Sequence, residues 1–263
     1  MARIIVVANQ KGGVGKTTTC VNLGAALAQR RQRVLLVDLD PRGDLSHYCL
    51  EQPSDTASSY ELLADPEAFD RSSVAALWSP SVSLVPAKLD LAALEFVLSQ
   101  EPERRSSFVQ EGLGPLADDY DFLILDTAPG LQLLGLSALA AADQVIIPQQ
   151  CSFLALQGLR AVNDIVERLR TQAGVGVTVA GILLTMYDRR TIHHRDVVAM
   201  VQRGFGGLVF RTVIPQTIRV QEAAVVHEPI TAYEPRNPAA DAYRRLAKEV
   251  MSRAQKAGSA HRG

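Results

Sequence analysis

The sequence predicts an α/β fold, a doubly wound and mainly parallel sheet flanked by helices, and three observations carry that prediction. Short runs rich in apolar and β-branched residues alternate with stretches of helical periodicity along the 263 residues, the pattern that lays helices over both faces of a parallel sheet with right-handed crossovers. The runs are apolar throughout rather than alternating, as strands covered on both faces require. Two of them, Arg33 to Asp38 and Asp121 to Asp126, end in a carboxylate, and ligands of open parallel sheets sit beyond the carboxyl ends of the strands.

The first run, Arg3 to Ala8, leads into Asn9, Gln10 and Lys11, then glycines at 12, 13 and 15. From Thr18 to Arg30 small and apolar residues (Val21, Gly24, Ala25, Ala28) recur at helical spacing. Strand, glycine loop and helix in this order make a phosphate-binding turn. The glycines permit positive φ, so successive amide N–H groups turn inward as a nest for phosphate oxygens. A helix starting near Lys16 adds its unpaired N-terminal donors and the positive end of its dipole. Lys16 is placed to reach the β- and γ-phosphates of a nucleotide, and the Thr17 hydroxyl to ligate Mg²⁺. The nucleotide-binding set is then Gly12, Gly13, Val14, Gly15, Lys16, Thr17 and Thr18. The loop departs from the usual G-x-x-x-x-G-K-[ST] spacing, because Gln10 stands where the first glycine belongs.

Arg33 to Asp38 reads as the next strand. Asp38 and Asp40, and then Asp44 after a Pro-Arg-Gly turn, are expected to face the glycine loop, and Asp40 is the candidate to align the attacking water. Residues 51–80 read as short helices and loops covering the sheet, with Trp78 as packing. Val82 to Pro86 is a strand and Leu89 to Leu98 a helix. The run ending at Asp126 has the form of a strand whose carboxylate binds Mg²⁺ through water. Further on, Ala140 to Pro148 reads as a helix end and a strand, Phe153 to Arg170 as a long amphipathic helix, and Val177 to Thr185 as a strand. A helix after Arg195 and the apolar run Val209 to Pro215 complete the alternation.

Lys and Arg total 27 against 28 Asp and Glu, a net charge of −1, so any nucleic-acid surface must be local. One is available: Arg189, Arg190, Arg195, Arg203, Arg211 and Arg219 all fall in the last third, and such a group can grip duplex phosphates without reading bases. Cys20, Cys49 and Cys151 lack paired spacing and read as reduced, buried thiols rather than a disulfide or metal framework. His193 and His194 lack a third spaced ligand and read as surface residues. The first strand begins almost at residue 1 and no apolar run is long enough to span a bilayer, so a cytoplasmic protein is expected. Residues 1–254 are expected to form one domain and 255–263 a flexible tail.

The stretch K-G-G-V-G-K-T resembles the variant P-loop of the ParA/MinD family of ATPases. The run Asp38 to Gly43, the strand ending at Asp126, and Ile214 to Ala223 resemble further motifs of the ParA/Soj group, in the same order, so that the resemblance extends from the first strand to about Lys248. It implies a chromosome- or plasmid-partition ATPase of the short, non-repressor kind, using ATP and Mg²⁺. By the same resemblance Lys11 crosses a dimer interface to the partner's nucleotide, making Lys11, Lys16 and Asp40 the catalytic set. Thr17 and Asp126 become the Mg²⁺ set, and Met186 and Pro215 flank the adenine. An ATP-dependent homodimer would hold nonspecific double-stranded DNA through Arg189, Arg190, Arg195 and Arg219, associate with the nucleoid, and release DNA after slow hydrolysis stimulated by a centromere-binding partner of the ParB/Spo0J type. The chain departs from the pattern at Arg42 and Asp44, where the family usually has Gln and Asn, at Ala128 in place of a second proline, and at Gln216 and Thr217 in place of Arg and Asn.

Three rivals remain open from sequence. A MinD-like membrane-associated ATPase would need a terminal amphipathic helix with bulky apolar residues, for which Ala247 to Gly263 offers only Val250 and Met251. A ParA-like positioner of another cargo differs only in its partner. An ATP-dependent metabolic enzyme on the same fold would need a second substrate pocket, for which no motif is present.

Overall fold

In the computed structural model, which describes residues 2–53, 57–152 and 155–260, the apolar runs form one seven-stranded sheet. The strands are β1 (Arg3–Val7), β2 (Val34–Leu39), β3 (Ala75–Ala76), β4 (Val82–Val85), β5 (Phe122–Thr127), β6 (Gln144–Gln150) and β7 (Thr178–Thr185). Their spatial order is β3-β4-β2-β5-β1-β6-β7. All pairings are parallel except the short edge pair of β3 with β4. β1 sits between β5 and β6, and the chain leaves it toward β2 on the far side of β5. The loop after β1 therefore opens at the carboxyl ends of β1, β2 and β5, where the register sets Asp126 opposite both Val7 and Asp38.

Successive side chains of a strand point to opposite faces, and two apolar cores follow from that. Leu35 and Val37 of β2 and Val6 of β1 join a core under α3 (Ser59–Ala64), α4 (Ala92–Gln100), α5 (Phe108–Leu113), α6 (Leu133–Ala141), α7 (Ala155–Ala173) and α8 (Ile192–Phe205). Val34, Leu36, Ile5 and Val7 join the other, under α1 (Lys16–Ala28), α2 (Asp44–Cys49), α9 (Arg219–Val225), α10 (Ile230–Tyr233) and α11 (Pro238–Ala260). α1 is buried over most of its length because it lies between the sheet and α11, and a helix enclosed on two sides has little use for a polar face. Its closest approach is at Gly24, where a Cβ would come within 2.9 Å of Leu36 Cδ2. Asn22 on the same helix accepts the Ile230 amide at 2.8 Å, tying α1 to the start of α10.

Several elements differ from expectation. β3 has too few residues to show a periodicity, and it survives only by pairing with β4. Val209 to Pro215 runs beside β7 without forming a strand, pairing in one isolated bridge to it, Ile182 with Val209, and in another just past its end, Tyr187 with Pro215. Pro215 has no N–H to continue a ladder. The helix expected from Phe153 starts at Ala155; residues 153–154 and the side chains of 155–161 lie outside the described residues, while Val162 and Val166 are buried. Of the expected tail, the backbone as far as Ala260 is helical, and 261–263 lie outside the described residues.

Candidate nucleotide-binding site

The glycine loop has the backbone that its residues foretell. Gly13 and Gly15 take φ of 71° and 90°, values that side-chain-bearing residues rarely adopt. Gly15 is also the residue before α1, so its left-handed turn directs the first amides of that helix into the loop. Asn9 holds the loop's entry: its Nδ2 donates to the Pro148 carbonyl at 2.7 Å and its Oδ1 accepts the Lys11 amide at 3.0 Å. Val14 is wholly buried, and its carbonyl accepts the Thr185 hydroxyl at 2.9 Å, fixing the other side of the loop to β7. Gly12, Gly13, Gly15, Lys16, Thr17 and Thr18 then line a cavity of about 260 Å³.

Three carboxylates approach this cavity from the ends of β2 and β5. Asp126 is 1% exposed; its Oδ2 accepts the Thr17 hydroxyl at 2.6 Å, and its Oδ1 is buried without a hydrogen-bond partner. Burial first, and then the neighbouring Asp38, push its pKa up to about 8. Asp38 is committed to structure: Oδ1 accepts the Asp40 amide at 3.0 Å, and Oδ2 accepts both the amide and the hydroxyl of Ser46, at 2.9 and 2.7 Å. Burial raises its pKa to about 6 against those bonds. Lys16 is 7% exposed, and burial lowers its pKa while the charges of Asp126 and Asp40 oppose the shift. An orphaned carboxylate oxygen beside a hydroxyl and an anion nest suits a hard divalent cation that also holds phosphate oxygens.

Asp40 lines the same cavity but is not free. Its Oδ1 accepts the Arg42 amide at 3.0 Å and Arg42 Nε at 3.3 Å; its Oδ2 accepts Nε at 3.3 Å and Nη2 at 2.9 Å. Nη2 also donates to Asp44 Oδ2 at 2.9 Å. Arg42, marked in the sequence only as a departure from a family pattern, is a cavity residue, as is Asp44.

Met186, held at a positive φ of 53°, lines both this cavity and a neighbouring one of about 150 Å³ shared by Gly15, Thr18, Pro215, Val220 and Tyr243. Met186 and Pro215 are thus brought together with the loop, on a mostly apolar wall of the kind a flat base requires. Thr185, Val220 and Tyr243 were not candidates from sequence; Tyr243 sits far along the chain and carries no motif. Lys11 is exposed and lines neither cavity.

The six arginines do not form one cluster. Arg189 and Arg190 line a groove with Arg245, which sequence reasoning missed, on the far side of Pro215. Arg190 is paired with Asp188 at 3.0 Å, and Arg219 with Glu222 at 2.7 Å and Glu234 at 3.5 Å. Arg195 and Arg203 are exposed on α8. Arg211 lines a different groove, beside Thr178, Glu249 and Arg253. His194 accepts the Asp188 amide at 2.9 Å through Nδ1, which stabilises the loop that carries Arg189 and Arg190.

Two protein-family models match the chain, one described as an AAA domain over residues 2–178. The other is described as 4Fe-4S iron sulfur cluster binding proteins, NifH/frxC family, over residues 111–258. The cysteines do not fit the cluster in that description: Cys20 in α1, Cys49 at the end of α2 and Cys151 just after β6 are each buried and free. Among the described residues no three His, Cys, Asp or Glu side chains are grouped to hold a metal ion. The sporulation initiation inhibitor protein Soj of Bacillus subtilis is 39% identical over 253 residues, 96% of this chain and 99% of Soj. The chromosome partitioning protein ParA of Myxococcus xanthus is 38% identical over 258 residues, covering 96% of this chain and 89% of its own length. A solved Mycobacterium smegmatis structure, described as cobyrinic acid a,c-diamide synthase with bound ATP analog and magnesium, matches with a TM-score of 0.81. It is 33% identical and covers 98% of this chain and 97% of its own. Among the described residues no helix is long and apolar enough to cross a membrane.

Proposed function

Because the chain belongs to the ParA/Soj family of P-loop ATPases, we propose that it is a DNA-partition ATPase whose ATP-bound dimer holds duplex DNA and whose hydrolysis releases it. The observation that carries the reading is the meeting of Lys16, Thr17 and Asp126 at the mouth of the glycine nest, with the Asp126 Oδ1 left over. In this reading the loop amides and Lys16 bind the phosphates, and Thr17 and Asp126 hold Mg²⁺, the carboxylate through water. The bound Mg²⁺ neutralises charge on the phosphate oxygens. Met186 and Pro215 flank the adenine.

Asp40 orients the attacking water. A single water-positioning carboxylate without an activator stabilises the transition state poorly, so basal turnover is slow and a ParB/Spo0J-like partner raises it. Lys11, exposed beside the cavity rather than in it, reaches the nucleotide of a second subunit. Arg189, Arg190, Arg195 and Arg219 contact the DNA backbone, which associates the protein with the nucleoid. The MinD-like alternative is disfavoured by α11: Val250 is wholly buried and Met251 packs against the same core, so the sizeable apolar groups of that helix face inward rather than toward a bilayer.

Phosphate release with Mg²⁺ and ATP tests the enzymatic half of the proposal. The wild-type chain should turn over slowly, Lys16→Ala should lose nucleotide binding, and Asp40→Ala should bind ATP but release no phosphate. Undiminished hydrolysis by Asp40→Ala contradicts the role given to that carboxylate.

A further inference from the structure

Among the described residues, Arg42 is the one cation lining the cavity that the proposed mechanism leaves without a task. A carboxylate has about four lone-pair directions to offer, and Arg42 directs three N–H groups at those of Asp40: its amide on Oδ1, its single Nε–H shared between the two oxygens, and Nη2 on Oδ2. While that fork is closed, it competes with a water for both oxygens of Asp40. The two partners are unequally placed. The Asp40 side chain is 5% exposed and the Arg42 side chain 60%, so the carboxylate is fixed by its surroundings and the guanidinium can move. Its second anchor, Asp44 Oδ2 at 2.9 Å, is itself half exposed and keeps the guanidinium near the cavity if the fork opens.

The same guanidinium lines the cavity with Gly12, Gly13, Lys16 and Thr17, the residues proposed above to receive phosphates. A planar fork that fits a carboxylate fits a phosphate equally well. We propose that Arg42 is a positioning residue that closes on Asp40 when no terminal phosphate is present and turns to that phosphate in the ATP state, leaving Asp40 open to water. The inference rests on the reading of Asp40 as the water-positioning group. Lysine carries the charge but not the fork, and glutamine carries neither.

The test is equilibrium binding of ADP and of a slowly hydrolysed ATP analogue with Mg²⁺, together with hydrogen exchange over residues 40–44, for wild type, Arg42→Gln and Arg42→Lys. Arg42 should favour the triphosphate, so in Arg42→Gln the ratio of ADP to ATP-analogue dissociation constants should fall about tenfold, with ADP affinity little changed. Arg42→Lys should restore part of that ratio, through charge alone. Exchange of the Arg42 amide, held by Asp40 Oδ1 at 3.0 Å, should differ between the ADP and ATP-analogue states of wild type and be the same in both states of Arg42→Gln. An unchanged ratio, or a state-dependent difference that persists in Arg42→Gln, overturns the proposal. Failure of the underlying reading shows separately, as undiminished hydrolysis by Asp40→Asn.

Discussion

The Thr17 hydroxyl and the Asp126 carboxylate, 109 positions apart in sequence, meet at 2.6 Å, and that contact joins the glycine loop to the end of β5. It satisfies one carboxylate oxygen and leaves the other, Oδ1, buried without a hydrogen-bond partner.

The pH dependence of the apo protein follows. Asp126 titrates near 8 in the fold against about 3.9 for an unperturbed aspartate. Between those values the folded chain holds a proton that the unfolded chain has lost. Stability therefore falls as pH rises through this window, and Asp38, raised to about 6, steepens the lower part. Thermal melts of nucleotide-free protein should show a decline from about pH 6 to 8 that Asp126→Asn largely removes. At pH 8 that variant should be more stable than wild type by about 1–3 kcal/mol, while losing Mg²⁺-dependent nucleotide binding. A flat wild-type profile contradicts the raised Asp126 pKa.

The cross-subunit role proposed for Lys11 predicts that binding and assembly separate. Its side chain is exposed and lines neither cavity of its own subunit, so Lys11→Ala should bind ADP as wild type does. Light scattering should then show no ATP-dependent dimer. Normal dimerisation of Lys11→Ala removes the cross-subunit role.

Gly15→Ala tests the loop geometry. A Cβ there would lie 3.8 Å from Thr185 Cγ2, an ordinary contact, so the cost is conformational: φ of 90° for a residue with a side chain, on the order of 1–3 kcal/mol. Chemical denaturation should read that loss, and nucleotide affinity should drop with it because the loop amides are re-aimed.

The fold and half of the site were legible in the sequence for identifiable reasons. Continuous apolar runs ending in acids gave β2 and β5 with their carboxylates, and glycines beside Lys16 and Thr17 gave the loop, because each rests on local chemistry. What stayed hidden depends on tertiary placement. Tyr243 reaches the cavity beside Met186 and Pro215 only because α11 packs along α1. Arg245 joins Arg189 and Arg190 by the same route. β3 exists only through its pairing with β4, and the arginines that sequence counted as one group are divided because Val209 to Pro215 travels along β7, separating Arg211 from Arg189. Arg42 was visible as a departure from a pattern, but its grip on Asp40 needed coordinates.

A chain that ATP converts into a DNA-holding dimer should, as the Asp40→Ala variant, bind an arbitrary DNA duplex in a way that depends on nucleotide, measured with ATP or ADP across a salt series. Tight binding is expected with ATP alone, falling steeply as salt rises, with the salt slope reduced by about 1 in Arg219→Ala. Absence of binding in either nucleotide state, or equal binding in both, contradicts that conversion.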